Sequence, residues 1–63
     1  MKYKFIFCFL KADGSVETND NGDEMYYDEE FEADRVTEAL RKFKRYFKHF
    51  DSKPEIMKIE REN

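Results

Sequence analysis

The sequence predicts a small α+β domain. It is an antiparallel sheet in ββαβ order, first strand central, with one amphipathic helix packed on one face. Three observations carry that reading. Tyr3 to Leu10 (YKFIFCFL) is apolar at odd positions and at Ile6, Cys8 and Leu10 on the even ones. Successive strand residues point to opposite faces, so this strand suits the middle of a sheet covered on both sides. Residues 35–50 repeat apolar positions at helical spacing, and two shorter stretches alternate as flanking strands do.

After the first strand, Ala12-Asp13-Gly14-Ser15 reads as a turn. Ser15 to Thr18 suits a short return strand, since Val16 and Thr18 are β-branched. The polar run Asn19 to Asp23 then reads as a loop. Glu24 to Ala33 is the second strand. Met25, Tyr27, Phe31 and Ala33 share one face, interrupted by Glu29, and Glu24, Tyr26, Asp28, Glu30 and Glu32 share an acidic one.

Asp34 is the expected N-cap of a helix running from Arg35 to about Phe50. Val36, Ala39, Leu40, Phe43, Tyr46, Phe47 and Phe50 fall within an arc of about 120°, opposite Arg41, Lys44, Arg45 and Lys48. Pro54 ends the helix. Glu55 to Arg61 is the last strand, with Met57 and Ile59 on one face and Ile56 on the other. A right-handed crossover through the helix then gives the order 2-1-3.

At 63 residues the chain is a single domain (1–63), near the lower limit for folding without staples. Cys8 is the sole cysteine, which fits a reducing compartment and a cytoplasmic location. The apolar run at residues 5–10 is too short for a signal peptide or a membrane span. Charged residues make up 43 % of the chain with a net charge of −3, and they are segregated. Residues 12–34 hold ten acids and no base, whereas residues 35–53 hold seven bases against Glu38 and Asp51. Such asymmetry concerns partners rather than fold.

Few chemistry-bearing constellations are present. Glu17 to Asp28 resembles a calcium loop only superficially, because its end ligands are interchanged and its flanks are strands. Cys8 has apolar neighbours and no adjacent base, and His49 stands alone among lysines and arginines. No cysteine pair or Gly-rich phosphate loop occurs, so the expectation is a non-enzymatic protein without cofactor or metal.

Two surfaces remain. Glu24, Asp28, Glu30 and Glu32 form a carboxylate ladder on one strand face, suited to a basic protein surface. Arg41, Lys44, Arg45 and Lys48 form a basic helix face that suits phosphates, and sheet aromatics suit base stacking. The ββαβ layout, with its wealth of Lys, Asn, Phe, Tyr and Ile, resembles short proteins encoded by phages and other mobile elements of low-GC bacteria. That resemblance implies binding to a host factor. The expected function is therefore a protein-interaction module, a modulator or inhibitor of a host protein, with nucleic-acid binding as the alternative. One helix covers one sheet face, so the other is expected to pair two copies in a homodimer. The candidate dimer residues are Phe5, Phe7 and Phe9 on one face, or Ile6, Cys8 and Leu10 on the other.

Overall fold

The computed structural model describes Met1–Glu62. Its elements are β1 (Lys2–Phe9), β2 (Tyr27–Glu32), α1 (Val36–Tyr46) and β3 (Pro54–Glu62). They form an antiparallel sheet of order β2-β1-β3, with the most apolar strand central. Lys2 lies between Glu32 and Glu62, and Lys4 between Glu30 and Glu60. Opposite charges facing each other across strands favour this register, since a one-residue slip would turn every side chain to the wrong face.

The helix takes the odd face of β1. Tyr3, Phe5 and Phe7 are buried there with Ala33, Ala39, Phe43 and Phe47, and Phe9, Phe31, Leu40 and Ile56 close the margins. The Phe43 ring stacks on Phe5 at 4.8 Å and meets Phe7 edge-on at 5.3 Å. Each such pair contributes about 0.5–1.5 kcal/mol beyond the area it buries. A core built from rings allows so short a chain to close over a single helix.

Four local expectations need correction. Asp34 does not cap the helix. The N-cap is Arg35, in extended conformation and without a side-chain cap bond. The Ala33 amide donates to the Met1 carbonyl at 2.9 Å, tying the chain to the sheet at the point where a cap at Asp34 would already be turning it. The regular helix also stops at Tyr46 rather than Phe50. Beyond it, Lys48 and Phe50 amides bond three residues back, to Arg45 and Phe47, tightening the last turn. The Lys53 ammonium then caps the carbonyl of Lys48 at 2.9 Å.

The third correction concerns β3. A bulge falls where Ile6 pairs with Lys58 but Phe7 pairs with Ile56, leaving Met57 as the extra residue. The shift places Ile56 and Ile59 on the same, helix-covered face, opposite Phe7 and Phe5. Met57 is 54 % exposed.

Finally, the second strand is regular only from Tyr27. Ahead of it, the Glu17 amide donates to Phe9 and the Met25 amide to Glu17, with isolated bridges Leu10 to Val16 and Thr18 to Glu24. Residues 16–18 thus wedge between the end of β1 and the approach to β2. Two turns permit this path, each using a glycine at positive φ, Gly14 at 88° and Gly22 at 84°. In the first, the Ser15 amide and hydroxyl both donate to Asp13 Oδ1, holding that carboxyl below its usual range.

Candidate functional site

The sheet face away from the helix carries charge. By register, Lys2, Lys4, Ile6 and Cys8 form its middle column. Glu32, Glu30 and Asp28 flank it on β2, and Glu62, Glu60, Lys58 and Glu55 on β3. Glu24 extends the β2 row, accepting a hydrogen bond from the Tyr26 hydroxyl at 2.9 Å. The four ladder residues Glu24, Asp28, Glu30 and Glu32 are all exposed, and three carboxylates of β3 join them. The sequence reading missed Glu55, Glu60 and Glu62, because without the β3 register nothing assigned their face.

The two rows meet above β1. One carboxylate oxygen of Glu62 is shielded from solvent with no hydrogen-bond partner among the described residues. Hydrogen bonding with Glu30, aided by desolvation and by the Glu30 charge, pushes the Glu62 carboxyl above its ordinary 4.5, and Lys4 pulls the other way.

On this face Cys8 is fully buried and Ile6 half-buried, while Leu10 is 43 % exposed and Tyr26, bonded to Glu24, is 49 % exposed. Of the other dimer candidates, Phe5 and Phe7 lie beneath the helix of their own chain and Phe9 is half-buried at its margin. Phe5 and Phe7 are thereby removed as dimer candidates, and Ile6, Cys8 and Leu10 remain on the face away from the helix. Burial pushes the Cys8 thiol up, and nearby Glu55 and Glu24 add to the effect, so the thiolate form is disfavoured.

On the helix side, the helix separates two clefts of opposite character. Towards β2, a cavity of about 510 Å³ is lined chiefly by rings, with Glu17, Asp28 and Glu29 among its residues and no base. Towards β3, a cavity of about 380 Å³ has a floor of Phe43, Phe47, Pro54 and Ile56 and a rim of Lys44, Lys48 and Lys53. Arg41, Lys44, Arg45 and Lys48 are exposed as expected, but only Lys44 and Lys48 line a cleft. Lys42 turns instead towards β2, donating to the Glu32 carbonyl and lying 3.8 Å from Glu38. Phe5 and Phe7 are enclosed beneath the helix and so are closed to stacking on bases.

Among the described residues no group of three or more metal-ligating side chains is placed to hold an ion. Within the superficial calcium loop, Asn19 Oδ1 already accepts from the Asn21 and Asp23 amides at 2.9 and 3.0 Å. Among the described residues no helix is long and apolar enough to cross a membrane. Compared with protein-family models, with curated proteins and with solved structures, the chain finds no match in any of the three.

Proposed function

We propose that this protein is a protein-interaction module that presents its open sheet face to a basic surface on a host protein, modulating or inhibiting it. One observation carries the reading. Carboxylates of β2 and β3 converge on one exposed face around only three lysines, Lys2, Lys4 and Lys58. Of these, only Lys58 forms an ion pair there within 4 Å among the described residues, with Glu60 at 3.2 Å. A face with surplus negative charge on a rigid sheet steers a cationic partner and fixes its orientation.

The test uses neutral variants, because reversing Glu30 and Glu32 to lysine would set like charges across from Lys4 and Lys2. The combined variant E24Q, D28N, E30Q and E32Q keeps shape and most hydrogen bonding. It should lose the partner that wild type retains from a bacterial lysate, with an unchanged circular-dichroism spectrum. Retention at wild-type level would reduce the ladder to a solubilising edge.

A second reading has its own observation, the lysine-rimmed cleft beside β3, whose apolar floor and absence of carboxylates suit a phosphate backbone. A gel shift with single- and double-stranded nucleic acid at low and moderate salt separates the two. The interaction-module reading expects no complex at moderate salt.

A further inference from the structure

The interruption of the apolar β2 face by Glu29 has a structural setting. Glu29 pairs with Phe5 and therefore lies on the helix side, half-buried, where it lines the cleft between α1 and β2. Glu17 reaches the same cleft from the wedge segment and is also half-buried, accepting a hydrogen bond from the Tyr27 hydroxyl at 3.1 Å. Neither carboxylate forms an ion pair within 4 Å among the described residues. A half-buried carboxylate without a cation loses hydration that a neutral hydroxyl donor restores only in part.

The walls are aromatic. Tyr27 packs against Phe9 at 5.6 Å, and on the helix side Tyr46 and Phe50 stack at 6.4 Å. Tyr46 is 53 % and Phe50 47 % exposed, although both belong to the helix's apolar arc. Exposed ring faces beside unpaired carboxylates attract one kind of group, a cation with a flat or apolar body.

We infer that this cleft is a docking site for an arginine side chain presented by a partner polypeptide. A guanidinium forks onto carboxylates and stacks its plane on rings, and its aliphatic stem covers apolar surface. The cavity, about 510 Å³, lies within the range of ordinary ligand sites. Charge complementarity selects the occupant, because among the described residues no lysine, arginine or histidine lines the cleft. The site lies on the helix side of the sheet and shares only Asp28, at its edge, with the open acidic face.

The test is an NMR titration of the isotope-labelled protein with a blocked tripeptide carrying arginine at its centre. Its citrulline counterpart and methylguanidinium alone serve as parallel arms. Saturable shifts are expected around Tyr27, Glu29, Tyr46 and Phe50, with binding of the citrulline peptide weaker by roughly fivefold or more. E29Q should weaken the arginine peptide by about two- to fivefold, whereas E30Q on the open face should leave it unchanged. Equal binding of both peptides, absence of saturable shifts, or shifts centred on Glu30 and Glu60 would each overturn the assignment. Methylguanidinium binding as tightly as the peptide would replace the polypeptide with a free small cation. Dilution-dependent shifts at the same residues without any peptide would identify the occupant as a second copy of the chain. Either of those last two results also overturns the inference.

Discussion

Phe43 stacks on Phe5 and meets Phe7, Phe31 and Phe47 at centroid distances between 4.8 and 6.1 Å. Phe43→Ala therefore removes the ring about which the others are arranged, at a cost of about 3–5 kcal/mol. That equals the roughly 3–5 kcal/mol a core of this size supplies, so the variant should be largely unfolded by circular dichroism. Tyr46→Ala, three residues on but half exposed, should shift stability by no more than about 1 kcal/mol in the same urea titration. Glu62 offers a second test at this scale. Its folded carboxyl titrates above the ordinary 4.5, so the folded state holds that proton more tightly than the unfolded one. Stability from this group is present at low pH and declines as pH rises through the raised folded value. E62Q should remove that decline from a series of thermal melts. A wild-type curve that rises across the same interval in parallel with E62Q would contradict the raised titration of Glu62.

For the elements, the bulge in β3 decides which residues face the core. Simple alternation puts Met57 with Ile59 and leaves Ile56 opposite, yet Ile56 and Ile59 both pair with helix-facing rings of β1. Ile56→Lys should thus be strongly destabilising, because it places an unpaired ammonium against Phe7 and the helix, whereas Met57→Lys should be tolerated. Thermal melts of the two variants check the order, and the reverse order would restore unbroken alternation. No residue type marks a bulge at Met57, which is why it was not legible beforehand. The central strand and the helix were legible, because YKFIFCFL admits few other settings and the spacing of Ala39, Phe43 and Phe47 survives in the packing. The end of the helix was not, since Tyr46 and Phe50 continue the apolar period while the backbone already turns.

At the scale of the whole molecule, the layout separates a ring-filled helix side from a charged open face. With Phe5 and Phe7 enclosed beneath the helix, Ile6, Cys8 and Leu10 are the residues left as candidates for pairing of two copies. Sedimentation at micromolar concentration decides whether they do: twice 7.7 kDa supports a dimer, and a mass near 7.7 kDa contradicts it. The alternation of the ladder was readable in the sequence, and the register puts Asp28, Glu30 and Glu32 on one face. Glu55, Glu60 and Glu62 were not readable, because a strand's side is set by the register it adopts. The aromatic cleft was equally hidden. It forms where Glu17, Glu29, Tyr46 and Phe50, distant in sequence, come to line one space.

The claim that the open face is the interaction surface is tested most directly by zero-length carbodiimide coupling within the captured complex, followed by mass mapping of the joined peptides. The account predicts bonds from Glu24, Asp28, Glu30, Glu55 or Glu60 to lysines of the partner. Bonds formed instead from Lys44, Lys48 or Lys53 to carboxylates of the partner would contradict it.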